Sequence, residues 1–130
     1  MNLAIIIPSY NSNSSLSKLI EIINRDYTKS IIVIDDGSDE VFNSQYDNVD
    51  IIRNKENKGK GFSLQRGLKR AQERGYTHAV TLDADLQHNP DEIDRFIGIS
   101  DDIDFVLGYR DRDHSMPIHR KLSNKITTAL

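Results

Sequence analysis

Two aspartates one residue apart close the apolar run in "VTLDADLQHNPDE": Asp83 and Asp85 stand where a buried strand would reach the surface, with Gln87 two residues on. Carboxylates at i and i+2 repel each other unless a cation or a set of donors occupies the space between them. Hard oxygen ligands of this kind suit Mg²⁺ or Mn²⁺, held by one or two carboxylates together with substrate phosphates. Gln87 offers a neutral oxygen, and residues 83, 85 and 87 share one face if the segment is extended. The competing reading makes the aspartates solvated caps of the next helix, and His88 reads as a surface residue. Three more polar stretches follow apolar runs: "PSYN" (Pro8 to Asn11), "DDGS" (Asp35 to Ser38) and "GYR" (Gly108 to Arg110). Taken singly, each has a plain explanation, such as turn chemistry in which Asp bonds its own backbone and Gly takes positive φ.

The elements that would carry these stretches bring them together. "LAIII", "IIVI", "DIIR", "HAVTL" and "DFVLG" are short runs without in/out alternation and read as strands buried on both faces. Between them lie segments of helical period. In "SSLSKLIEIINR", Leu16, Leu19, Ile20 and Ile23 recur at helical spacing behind a serine cap. "KGKGFSLQRGLKRAQERG" sets Leu64, Leu68 and Ala71 on one face and stops at Gly75. A third helix starts from Asn89 as cap, with Pro90 at its first position, Asp91 and Glu92 in its first turn, and Ile93, Phe96 and Ile97 inward. Alternating strands and helices predict a three-layer α/β domain over residues 1–130 with a mostly parallel, Rossmann-like sheet. Its ligands would sit beyond the carboxyl ends of the strands, where all four polar stretches fall.

Composition excludes several classes. A chain of 130 residues with 37% hydrophobic content forms one domain able to bury a sizeable core. A net charge of -3 argues against nucleic acid as the main partner. Cysteine is absent, so neither a disulfide framework nor a thiolate metal site is available, and reducing cytoplasm is the expected compartment. The longest apolar run, "LAIII", is too short to span a bilayer.

In their order and spacing, "IIIPSYN", "IIVIDDGSDE", "NKGKG", "VTLDADLQH" and "FVLGYR" resemble the motif set of family-two inverting glycosyltransferases with the GT-A nucleotide-sugar fold. "LDADLQH" with "RKLSN" is most similar to the dolichyl- or polyprenyl-phosphate mannosyl- and glucosyltransferase branch. The resemblance runs from Leu3 to about Ser123. It implies a UDP- or GDP-sugar donor, with Pro8 and Tyr10 bordering base and ribose, Ile34 and Asp36 contacting the base, and Asp83, Ala84 and Asp85 holding ribose, diphosphate and metal. Gln87 would be a further metal ligand, and Arg110 would meet the donor phosphates. Arg120 or Lys121 would meet phosphate of donor or acceptor. Asp85 and Arg110 would thus carry the catalysis, because a leaving nucleoside diphosphate gains negative charge as the glycosidic bond breaks. Lys58, Gly59, Lys60 and Gly61 form a basic loop that either faces the nucleotide or is a solvated helix start.

The branch often has Glu where this chain has Ser12. An amphipathic pattern of Ile118, Leu122, Ile126 and Leu130 runs to the last residue without a cap, so a domain truncated at its C-terminal end is expected. The resemblance implies that family members continue beyond this point with further sheet and helix. The general base cannot be assigned to any residue of the sequence. A lipid-phosphate acceptor, ionised at neutral pH, needs none, whereas a saccharide acceptor would. The basic C-terminal helix would pack on further sheet and helix or a second copy of the chain, or lie on an anionic inner membrane face. Two other functions compete: a binding module that holds nucleotide sugar without turnover, and a sugar-phosphate nucleotidyltransferase. The latter needs a Gly-rich basic loop after the first strand, which "PSYNSNSS" does not supply.

Overall fold

The computed structural model describes residues 2–27, 29–87, 89–99 and 102. The chain divides into two compact units, residues 1–98 and 99–130, and every element described belongs to the first. The predicted strand at "DFVLG", Arg110, Arg120, Lys121, His88 and the C-terminal helix lie outside the described residues.

The apolar run of residues 3–7 becomes β1 (Leu3–Ser9), buried along its whole length. It leads into α1 (Asn13–Asp26) and then β2 (Ser30–Asp35). Next come β3 (Val49–Arg53), α2 (Lys60–Glu73) and β4 (His78–Thr81). A 3-10 turn over Pro90–Glu92 then opens into the short α3 (Ile93–Ile97). The strand order is β3-β2-β1-β4, and every described pairing is parallel. Ile5, for instance, lies between Ile31 of β2 and Val80 of β4.

Strand alternation splits the core into two layers of side chains. Leu3, Ile5 and Ile7 of β1, with Ile31 and Val33 of β2, pack against Leu16, Leu19, Ile20 and Ile23 of α1 and against Ile93 of α3. Ala4, Ile6, Ile32, Ile34 and Ile52 face the opposite way and meet Ala71 of α2. Helices on both faces make the three-layer α/β sandwich that the sequence predicts, and the inner face of α1 is the predicted one.

Three local expectations are corrected. The N-cap of α1 is Ser12, but its hydroxyl donates to the Tyr10 carbonyl (3.0 Å) and makes no capping bond. β3 and β4 are not buried on both faces: among the described residues each lies at an end of the sheet, and Ala79 and Thr81 are exposed. On α2 the buried residues are Ser63, Gly67 and Ala71, while Leu64 is half-buried and Leu68 is 48% exposed. The cause is how closely α2 approaches the sheet. A Cβ at Gly67 would fall 2.6 Å from both Ile34 Cδ1 and Ile6 Cγ2. Only small residues fit along that row, so the leucines flank it. The third helix starts as predicted, with Asn89 Oδ1 accepting from the Asp91 amide (3.1 Å).

Candidate functional site

The sheet order reverses at β1, whose neighbours are β2 on one side and β4 on the other. In open parallel sheets the crevice for ligands forms at such a reversal, outside the carboxyl ends of the strands. A cleft of about 360 Å³ lies there, lined by Pro8 to Tyr10 and Ser12 after β1, Asp36 after β2, and Asp83 to Asp85 after β4. Asn57, Gly59, Lys60 and Ser63, around the start of α2, complete the lining.

Turns laced to one another hold this rim. Asn11 sits at φ 49°, a left-handed conformation that asparagine tolerates better than most residues. From there its amide donates to Ser38 Oγ (2.9 Å), and its Oδ1 accepts from the Asp39 amide (2.9 Å). Asp35 Oδ1 accepts from the Ser38 amide (3.0 Å), which is the turn chemistry expected of "DDGS". Its other oxygen pairs with Arg53 Nη1 (2.5 Å), and Arg53 Nη2 donates to the Ser38 carbonyl (2.8 Å). Gly37, at φ 76°, is needed for a second reason: a Cβ there would lie 2.6 Å from the backbone carbon of Glu56.

Asp36 is buried and serves the loop after β3. Its Oδ1 accepts from Asn54 Nδ2 (2.8 Å) and the Lys58 amide (2.7 Å), and its Oδ2 accepts from the Gly59 amide (2.9 Å). Asn54 is also buried: it donates to Ser63 Oγ (3.0 Å) and accepts from Arg66 Nη1 (2.6 Å). Burial pushes both Asp35 and Asp36 upward, but the hydrogen bonds outweigh it. Those from Ser38 and Arg53 hold Asp35 below the ordinary carboxylate range, and those from Lys58, Asn54, Gly59 and Ser63 do the same for Asp36.

The Asp83–Asp85 segment is a turn, not an extended stretch. Leu86 takes φ 62°, an uncommon conformation for a bulky side chain, and Asp85 Oδ1 accepts from the Gln87 amide (3.0 Å). Asp83 and Asp85 both line the cleft, whereas Gln87 does not. Lys60 Nζ donates across the cleft to Asp83 Oδ1. No group of three or more His, Cys, Asp or Glu among the described residues could hold a metal ion. Two carboxylates facing one cleft nevertheless fit an ion that takes its remaining ligands from phosphate oxygens and water, which is how Mg²⁺ is usually bound.

The structure therefore brings together Pro8, Tyr10, Asp36, Asp83, Ala84 and Asp85. It does not bring Ile34, whose side chain is fully buried under α2. Sequence reasoning missed Asn54, Ser63 and Arg66. Asn54 had a signal, since it follows β3 directly and is therefore another polar strand end. Ser63 and Arg66 had none short of knowing the true inner face of α2.

The comparisons with known proteins agree with this geometry. The family model described as "Glycosyl transferase family 2" matches residues 4–128. A "UDP-N-acetylglucosamine--dolichyl-phosphate N-acetylglucosaminyltransferase" of Methanococcus voltae is 32% identical, over 92% of this chain and 58% of its own length. A "Dolichol-phosphate mannosyltransferase" of Pyrococcus furiosus is 31% identical, over 96% of this chain and 39% of its own. A "Polyprenol monophosphomannose synthase" of Mycolicibacterium smegmatis is 29% identical, over 82% of this chain and 44% of its own. The chain thus spans about half the length of these relatives, from 39% to 58%. Among its described residues no helix is long and apolar enough to cross a membrane. With a family model covering nearly all of it, and with the described polar strand ends gathered around one cleft, the chain belongs to glycosyl transferase family 2.

Proposed function

We propose that the protein transfers a sugar, with inversion, from a UDP- or GDP-sugar to a polyprenyl-phosphate acceptor, using Mg²⁺ or Mn²⁺ held at Asp83 and Asp85. The observation that carries this reading is a cleft at the carboxyl ends of β1, β2 and β4, in which both carboxylates meet the loops expected to hold the nucleotide. The names of the similar proteins support the acceptor class, since they specify dolichyl, dolichol or polyprenol substrates. In the reaction, an acceptor phosphate oxygen forms a bond to the sugar's anomeric carbon as the bond from that carbon to the diphosphate breaks. The acceptor oxygen is already ionised at neutral pH, so the chain need not remove a proton from it.

The chain's own residues would bind and orient. Tyr10, half-exposed, would offer an aromatic face to the base, and Pro8 lines the same cleft. Asp83 and Asp85 would direct the diphosphate through the ion, which supplies charge stabilisation for the leaving group when bound. Arg110 and Arg120 are proposed to add positive charge around the phosphates.

Calorimetric titration of UDP and GDP, with Mn²⁺ and with EDTA, tests the reading on wild type and Asp85→Ala. Binding should require Mn²⁺ and be lost in the variant. Equal binding with EDTA or in the variant would remove the metal from the proposal. Incubating the donor that binds with polyprenyl phosphate then separates a transferase from a module that only holds nucleotide sugar, because only the transferase forms a glycolipid.

A further inference from the structure

Among the described residues, Lys60 reaches a carboxylate of the proposed metal pair. Its ammonium donates to Asp83 Oδ1, and both residues line the cleft. The backbone before it is fixed, because the buried Asp36 carboxylate accepts from the amides of Lys58 and Gly59. The side chain is not fixed in the same way. It is 58% exposed on its side, against 34% for Asp83, so charge rather than packing keeps it in place. A lysine on a four-carbon stem gives up such a contact readily when a stronger partner arrives. A divalent ion and this ammonium cannot share one carboxylate oxygen without strong mutual repulsion. A diphosphate entering the cleft, by contrast, offers the ammonium new anionic oxygens within reach of its stem.

We propose that Lys60 competes with divalent ions for Asp83, so that the ion binds weakly alone and tightly only when a nucleoside diphosphate draws the ammonium away. Lys60 is then a positioning residue that makes metal and nucleotide enter as a pair. This inference rests on the reading that Asp83 and Asp85 hold the ion.

The test is titration of Mn²⁺ alone into the full chain, with free Mn²⁺ followed by electron paramagnetic resonance. Lys60→Met should bind Mn²⁺ alone about fivefold or more tightly than wild type. Lys60→Arg, which keeps the charge, should stay as weak as wild type. The double variant Lys60→Met with Asp83→Asn should lose the gain, which locates the ion at Asp83. The same titrations are repeated with saturating UDP or GDP. If Lys60→Met and wild type bind Mn²⁺ alone equally, yet both bind it with nucleotide, the competition is disproved and the metal reading stands. If neither binds Mn²⁺ even with nucleotide, both are overturned.

Discussion

At the carboxyl end of β2, Asp35 and Asp36 are 1% and 4% exposed, and five donors reach their oxygens from Ser38, Arg53, Asn54, Lys58 and Gly59. At the carboxyl end of β4, on the same edge of the sheet, Asp83 is half-buried and Asp85 exposed, and both face the cleft. Two pairs of the same residue type, both at strand ends, are therefore divided between two tasks. The first pair uses its charge to tie loops to one another, and its ionised form is stabilised from within the protein. The second borders the cleft, with Asp83 paired to Lys60 and Asp85 accepting from the Gln87 amide, so both lie where a ligand can reach them.

The comparison predicts unequal costs of mutation. Asp36→Ala would leave the Asn54 side chain and the Lys58 and Gly59 amides without an acceptor, at a cost of about 3 kcal/mol in urea unfolding. Nucleotide binding should fall with it, because Gly59 and Lys60 line the cleft. A smaller effect is expected from acid. Asp35 and Asp36 are held below the ordinary carboxylate value of about 4, so the unfolded chain takes up their protons at higher pH than the folded one. Their stabilisation is complete above that value and is lost as pH falls through the folded values. Urea midpoints measured from pH 6 down to pH 3 should hold and then drop below about pH 4, less steeply in Asp36→Asn. The smallest stability change belongs to Asp85→Ala, within about 0.5 kcal/mol of wild type, even though the same variant is expected to lose metal-dependent binding. If Asp85→Ala proved as destabilising as Asp36→Ala, the division of tasks would collapse.

How much was legible in the sequence follows the same division. β1, β2 and α1 were readable because continuous isoleucine runs and a helical apolar stripe are local signals of burial. The convergence of "PSYN", "DDGS" and "DAD" was readable because parallel α/β topology sends successive strand ends to one edge. The inner face of α2 was not, because hydrophobicity marks Leu64 and Leu68 while the close approach at Gly67 selects for size. The hydrogen-bond partners of Asp36 were hidden for a related reason: two of them are backbone amides more than twenty residues downstream, and an amide carries no sequence signature. The turn at Leu86 breaks the extended geometry on which a shared face for residues 83, 85 and 87 depended.

The glycine at position 67 reaches further than its own packing. α2 is a stiff rod of 14 residues, and its seating height on the sheet is set near its middle, where no atom beyond the backbone fits. Lys60 stands seven residues earlier, roughly 10 Å along the axis at 1.5 Å per residue. Tilting a rod about a point in its middle displaces its end, so a methyl group added beneath the helix would be felt in the spacing between Lys60 and Asp83. The width of the cleft mouth is in this sense a dimension fixed from below, by how thin the layer between α2 and the sheet has been made.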